Sequence, residues 1–171
     1  MGVVKMGKKT MAMLIAIILL VSFSVSCAAN QASPAPGFTL SDNTGCQVSL
    51  FDYKGQKAVL ILFFNYNTGG PRDPLFQDYL AHYQGVDKLE TLCVVNTTYA
   101  DAALGQAQAG PGNVVPLRDE DGSVSQAFGA NPDKLTLVLV DQEGRIRFRE
   151  EVTSTADTNA ELAEQIKQAT R

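Results

Sequence analysis

The sequence predicts an α/β domain in which a mixed sheet with a parallel core carries helices on both faces and a β-hairpin at its amino end. Residues 58–64, AVLILFF, are too few to span a membrane and rich enough in Val, Ile and Phe for a strand buried on both faces. A polar loop over 65–74 follows, and apolar residues then recur at helical spacing over 75–83. Residues 89–96 and 135–140 repeat the buried-strand pattern. This order predicts a site at the carboxyl end of a central strand.

Residues 1–26 have the pattern of an export signal. Lys5, Lys8 and Lys9 precede an apolar run over residues 11–25, and the segment contains no acidic residue. A basic start, an apolar run of about 15 residues and small residues near a cleavage point are typical of such a signal. The alternative is an uncleaved membrane anchor, which needs about 20 apolar residues and would have to include three serines.

The end of this segment, Val25-Ser26-Cys27, resembles the end of a bacterial lipobox, in which the cysteine is acylated and becomes the mature amino terminus. The resemblance implies a membrane contact through lipid on Cys27 and an extracytoplasmic location on a bacterial membrane. Ser24 departs from the usual Leu, so processing near Ala29 to a soluble secreted or periplasmic protein stays open. Residues 27–37, rich in small, polar and Pro residues, predict a flexible linker before a domain at 38–171.

The composition excludes some classes of partner. From Cys27 onward the chain carries 11 basic against 18 acidic groups, a formal charge of −7, which argues against nucleic-acid binding. Every methionine lies in the predicted signal and His82 is the one histidine, so no Met- or His-rich metal site is predicted, and no cofactor. His82 falls at the edge of its helical stripe, as expected of a surface residue.

The first half of the domain predicts a hairpin, a turn and a capped helix. Residues 38–40 and 46–50 read as the two hairpin strands, with Cys46, Val48 and Leu50 on one face. Residues 52–55 form a turn before the central strand. The helix after that strand begins at Asp73 and Pro74, because Asp is a good N-cap and Pro suits the first helical position.

The second half predicts further strands and helices. We expect a weak helix from Thr98, with Asp101 three residues on, which GPG at 110–112 ends. Residues 114–118 indicate a short strand, and residues 119–122 a turn. Earlier strands separated by helices should be parallel, whereas the four-residue turn after residue 140 makes the last two antiparallel.

Two capping boxes and one edge strand complete the prediction. Ser123 and Gln126 form a capping-box pattern, as do Thr158 and Glu161 before the last helix. Residues 145–151 alternate apolar side chains with arginines, which is typical of an edge strand with one wet face. The apolar positions of the last helix, which should be buried, are Leu162 and Ile166.

The chain from Pro36 to about Lys167 resembles the thioredoxin superfamily. It is similar in particular to the extracytoplasmic redoxins, which are peroxiredoxins of the AhpC/TSA type and membrane-anchored thiol-disulfide oxidoreductases. The resemblance rests on GCQVSLFDYKG, AVLILFF with its loop, VVPLRDEDGSVSQAFG and LTLVLVDQEGRIRF, in this order and spacing. It implies a thioredoxin-like fold and either peroxide reduction or thiol–disulfide exchange.

The family's cysteines are missing from the site. The C-x-x-C positions of the oxidoreductases fall on Thr68 and Pro71, and the peroxidatic position of peroxiredoxins falls on Asp73. In the register of the related copper-chaperone branch, the two cysteines fall on Gly69 and Asp73. The cis-proline of thioredoxins and the arginine of many peroxiredoxins align with about Leu135, and neither is present.

Asp73 therefore has two interpretations. A helix amino terminus activates a thiolate in the family, but a carboxylate cannot undergo thiol–disulfide exchange. Asp73 is either a stabilising cap or, with Tyr66, Asn67 and Arg72, part of a ligand-binding loop. The first hypothesis is accordingly a redox-inactive accessory module that binds an unidentified protein or small molecule.

The second hypothesis is an oxidoreductase that uses another cysteine. Cys93 lies inside an apolar strand, where a thiol is usually inert. Cys46 lies near the start of a hairpin strand and is the candidate nucleophile. A Cys46–Cys93 disulfide is the less favoured arrangement, because the two lie in separate elements.

Overall fold

The computed structural model describes residues 32–42, 44–65, 73–98, 116–152 and 155–171, and for residues 155–159 it describes the backbone alone. The chain divides between Gln31 and Ala32, and the fold is that of the second unit, Ala32–Arg171. Within the described residues, no helix has the length and apolar character that crossing a bilayer requires.

One mixed sheet of seven strands forms the centre of the domain, in the order β2-β1-β5-β4-β3-β6-β7. β3, β4 and β5 are parallel to one another, and β6 and β7 continue the sheet with antiparallel pairs. The parallel core and the antiparallel last pair confirm the prediction. The strands are β1 Thr39–Ser41, β2 Gln47–Ser49, β3 Ala58–Asn65, β4 Leu89–Asn96, β5 Leu117–Asp119, β6 Leu135–Val140 and β7 Ile146–Val152.

Helices cover both faces of the sheet, as the sequence predicts. The helices are α1 Pro74–Tyr83, α2 Ser123–Ala127 and α3 Thr155–Ala169, and a 3₁₀ turn spans Leu50–Tyr53. α1 and α3 bury apolar residues against the even-numbered side chains of β3, with Leu162 fully buried. Phe128 after α2, Leu50 and Phe38 cover the odd-numbered side chains. The alternation follows from the two-residue period of a strand.

β3 is buried along its whole length and has neighbours on both edges. Such a strand has no wet face, which explains its unbroken apolar sequence. The expected buried stripe of α1 is also present, since Phe76, Tyr79, Leu80 and Tyr83 are buried. β7 lies at the edge of the sheet with exposed arginines, as its alternating pattern indicates.

Of the predicted linker 27–37, the structure describes residues 32–37. Ser33 accepts a backbone hydrogen bond from Ile146, and the Ala35 N–H donates to Gly144, so residues 33–35 form an isolated bridge beside the start of β7. Cys46 is exposed and lies before β2, whereas Leu50 is buried and begins the 3₁₀ turn. The predicted common face is therefore wrong for Cys46.

Both predicted capping boxes are wrong. The N-cap of α2 is Gly122, in a left-handed conformation, and Ser123 is already helical. α3 begins at Thr155, so Thr158 lies inside that helix. β5 extends from Leu117 to Asp119, which moves Asp119 from the predicted turn into the strand. The weak helix expected from Thr98 lies almost wholly outside the described residues.

Candidate functional site

The amino end of α1 is built as the sequence predicts. Asp73 is the N-cap, and its Oδ1 accepts a hydrogen bond of 2.8 Å from the Leu75 N–H. Pro74 at the first helical position has no N–H to satisfy. The rings of Phe64, near the end of β3, and Phe76, in the first turn of α1, are 4.7 Å apart. This contact holds the helix start beside the carboxyl end of the central strand.

The loop between β3 and α1 carries most of the predicted site, and it lies outside the described residues. This applies to the proposed ligand contacts Tyr66, Asn67 and Arg72 and to the family-equivalent positions Thr68, Gly69 and Pro71, as well as to the lipidation candidate Cys27. Of the predicted site residues, Asp73 and Cys46 are described.

A row of polar residues ends the three parallel strands, and sequence reasoning missed it. Asn65 is in register with Asn96, and Asn96 with Asp119. By the alternation of the strands, all three point to the face that α2 covers. Asn65 and Asp119 are buried, as is Thr136 near the start of β6. The only signal in the sequence was an Asn directly after each of two apolar runs.

The hydrogen bonds of this row fix the neighbouring loops. Asp119 accepts from the Ser125 N–H at 2.7 Å, from its Oγ at 2.6 Å and from the Val124 N–H at 3.3 Å. It therefore supplies the cap that α2 lacks from its own N-cap residue. Asn96 Oδ1 accepts from the Thr98 N–H at 3.0 Å and from its hydroxyl at 2.6 Å. These acceptors hold backbone in place at the carboxyl edge of the sheet.

Gly122 lets the loop before α2 approach this row closely. Its φ of 73° is in the left-handed region, and a Cβ there would lie 3.0 Å from the Asn96 amide nitrogen. Both observations favour glycine at this position. Thr136 completes the edge, since its hydroxyl oxygen accepts from the Asn131 N–H at 3.1 Å.

Neither described cysteine lies at the amino end of α1. Cys93 lies in the middle of β4, in register with Leu62 of β3. Burial raises the pKa of its thiol to about 12. At neutral pH only about one such thiol in 10⁵ is ionised, so Cys93 has no thiolate to offer. The prediction that Cys93 is a buried core residue is confirmed.

Cys46 is exposed, and its N–H donates a 2.9 Å hydrogen bond to Asp42. It precedes β2, the edge strand four positions from β3 in the sheet. Neighbouring strands are about 4.8 Å apart, so β2 lies about 19 Å from β3. The Cys46 side chain is too short to reach the end of β3 from there. Both thiols are free.

His82 is exposed on α1, in an edge-to-face contact with Tyr83, as expected of a surface residue. No group of three or more His, Cys, Asp or Glu side chains in the described part of the chain is arranged to hold a metal ion.

The chain belongs to the redoxin family, whose model matches residues 30–166. It is also similar to a thiol peroxidase of Staphylococcus aureus, with 28% identity over 138 residues that cover 75% of this chain and 80% of the relative. The residues that the family model matches contain β3, α1 and the polar row.

Solved structures show the same fold. A protein described as a thiol:disulfide interchange protein DsbE from Chlorobium tepidum superposes with a TM-score of 0.63 at 24% identity, covering 82% of this chain and 97% of its own. An exposed lipoprotein thioredoxin from Streptococcus pneumoniae gives a TM-score of 0.53 at 20% identity, covering 77% and 99%. At these identities the likeness establishes a thioredoxin-like fold.

Proposed function

We propose that this protein is a redox-inactive redoxin, held at the outer face of a bacterial membrane by lipid on Cys27, which binds a protein or small-molecule partner through the loop 65–74. One observation carries the proposal: the carboxylate of Asp73 caps the helix end at which the family's peroxidatic cysteine is expected. A carboxylate at this position accepts the free N–H groups but has no sulfur to oxidise.

The positions of the two described thiols support the same conclusion. Cys93 is 1% exposed, so a peroxide or a protein disulfide has no path to its sulfur. Cys46 lies by the far edge strand of the sheet, away from the helix amino terminus at which the family's thiol is expected. The scaffold that presents the loop 65–74 is nevertheless complete, since β3, α1 and the polar row are all in place.

A second candidate function is peroxide reduction at Cys46. Its exposure and the thiol peroxidase relatives favour it. In that reaction the Cys46 thiolate attacks one peroxide oxygen, the O–O bond breaks, and one proton is taken up to give a sulfenic acid and water. A thiol reductant must then return the sulfur to the thiol.

Turnover assays on the full-length chain separate the two functions. We expect no reduction of hydrogen peroxide or insulin disulfides above the level of the Cys46→Ser variant. Asp73→Cys, which restores a thiol at the helix end, serves as the gain-of-function comparison. Turnover by the wild type that disappears in Cys46→Ser would refute the inactive assignment and establish the second function.

Anchoring and binding need separate tests. Mass spectrometry of the amino terminus of protein expressed in a bacterial host should show an acylated Cys27, and a mature chain that starts near Ala29 would refute the anchor. Arg72→Ala and Tyr66→Ala should weaken capture of the partner, whereas the exposed His82→Ala on α1 should not. Equal capture by all three variants would argue against a binding loop.

A further inference from the structure

The surface opposite the candidate site combines an exposed aromatic ring with the attachment point of the chain. We define the basal surface as residues 33–37, Phe51, Lys54 and Arg145. It surrounds a cavity of about 390 Å³ at the amino end of β3, whose floor includes Val59 and Val140. Since β3 runs from this end to the polar row, the basal surface and the site lie at opposite edges of the sheet.

The chain length between the proposed anchor and this surface is short. Cys27 precedes Ala32 by five residues, which span at most about 18 Å when fully extended. From Ser33 the chain is fixed, because Ser33 and Ala35 form backbone hydrogen bonds of 2.8 and 2.9 Å with Ile146 and Gly144. Ser33 lies one residue further on, so an acyl chain on Cys27 keeps Ser33 within about 22 Å of the lipid headgroups.

Phe51 gives this surface an apolar contact. Its side chain is 63% exposed, and it is the one large apolar side chain that is exposed among the described residues. Its ring lies so close to Gly37 that a Cβ on that glycine would be 2.3 Å from the ring. Gly37, in the segment that follows Cys27, therefore lies close to the ring, and the rest of the ring is exposed to solvent.

The charges around Phe51 suit an anionic surface. Lys54 and Arg145 line the cavity. Of the acidic residues that line it, Asp141 is already paired with Arg147, which leaves Glu143 as the opposing charge. Lys57 also lines the cavity but is paired with Glu90 at 2.7 Å. Cationic side chains beside an exposed aromatic ring are typical of a surface that rests in the headgroup layer.

We infer that the basal surface docks onto the anionic phospholipid headgroups of the membrane that carries the anchor, with the Phe51 ring inserted among them. This inference rests on the proposed anchor at Cys27. In the docked state the eight residues of β3 place the carboxyl end of that strand, with the polar row, about 26 Å from the basal edge.

Fluorescence tests this inference directly, because the chain contains no tryptophan. Full-length Phe51→Trp is expressed in a bacterial host, recovered from the membrane fraction and reconstituted in phosphatidylglycerol vesicles with brominated acyl chains. We expect blue-shifted emission and strong quenching by the bromines. Gln126→Trp, an exposed position on α2 near the polar row, is the matched control and should be quenched far less.

Charge variants test the electrostatic part. In the Phe51→Trp background, Lys54→Gln and Arg145→Gln should each lower the ratio of docked to undocked protein by about fivefold. Lys134→Gln removes the same charge just before β6 and should leave the ratio unchanged. Equal quenching at positions 51 and 126, an effect of Lys134→Gln as large as that of Lys54→Gln, or equal quenching in neutral phosphatidylcholine vesicles would overturn the inference.

Failure of the inference and failure of the anchor give different results. A protein without acyl mass on Cys27 contradicts the anchor, whereas an acylated protein whose position 51 is unquenched contradicts the docking. If the protein is recovered from the soluble fraction, it is mixed with the same vesicles, and the same comparison of positions 51 and 126 decides. Blue-shifted emission from position 51 before vesicles are added would indicate that a second copy of the chain covers the surface, and would also overturn the inference.

Discussion

Substitution of Asp73 measures how much its carboxylate contributes at the amino end of α1. The side chain makes one N-cap hydrogen bond, 2.8 Å from the Leu75 N–H, at a half-buried position. Loss of such a cap typically costs about 1 kcal/mol, so Asp73→Ala should lower the free energy of unfolding by that amount and Tm by about 3 °C. Asp73→Asn keeps an acceptor and loses only the charge, so it should cost about 0.5 kcal/mol.

Urea denaturation of the three proteins provides the measurement. The difference in free energy of unfolding between the wild type and Asp73→Asn should be smaller in 1 M salt, because the screening length there falls to about 3 Å. Asp78→Ala, exposed on the same helix, is the control and should not lower stability, because Ala has the higher helix propensity. If Asp73→Ala were as stable as the wild type, the carboxylate would not be the cap, and the physical reason given for its position would be wrong.

Two further predictions concern buried groups. Asp119→Ala should lower the free energy of unfolding by about 3 kcal/mol, because it leaves the N–H and hydroxyl of Ser125 without their acceptor inside the protein. Asp121→Ala removes an exposed hydrogen bond and should cost less than about 1 kcal/mol, so equal losses in urea titrations would contradict the reasoning. Because folding raises the pKa of Cys93, the folded chain keeps a proton that the unfolded chain releases above about pH 9. Between pH 9 and 11 the free energy of unfolding of the wild type should therefore fall, relative to that of Cys93→Ala, by up to about 1.4 kcal/mol per pH unit. Urea titrations that give the same pH dependence for both proteins would exclude this effect.

The central elements could be predicted because their signals are local. The apolar run of β3 is short and rich in Val, Ile and Phe, which favours a strand with neighbours on both edges, and this is what forms. Asp73 and Pro74 define the start of α1 without help from the rest of the chain. The amino end of α1, at which the resemblance places a family cysteine, could therefore be found from the sequence.

The cap of α2 could not be predicted, because it comes from outside the helix. Ser123 and Gln126 have the capping-box spacing, but the carboxylate of Asp119 reaches the first turn from the end of β5. Gly122 supplies the left-handed turn that this approach requires. The capping-box pattern covers four residues of the helix start, so it cannot indicate that the capping carboxylate comes from a neighbouring strand.

The polar row was missed for a similar reason. Asn65, Asn96 and Asp119 are far apart in the sequence, and only the parallel register places them side by side. Asn65 and Asn96 lie at the ends of predicted strands, but the sequence predicts Asp119 in a turn, so the complete row could not be aligned from the predicted topology. The hydrogen bonds of the row hold Thr98 and the first turn of α2 at the carboxyl edge of the sheet.

Residue-resolved trapping of sulfenic acid tests most directly whether the wild-type chain lacks a family nucleophile. The full-length wild type, Cys46→Ser and Asp73→Cys are exposed to limiting hydrogen peroxide at pH 7 in the presence of dimedone, and the labelled residues are identified by mass spectrometry. We predict no label on Cys93, slow labelling of Cys46 at the rate of an unactivated thiol, and much faster labelling of the cysteine introduced by Asp73→Cys. Rapid labelling of Cys46 or Cys93 in the wild type, at a rate matching that of the introduced cysteine, would contradict the account.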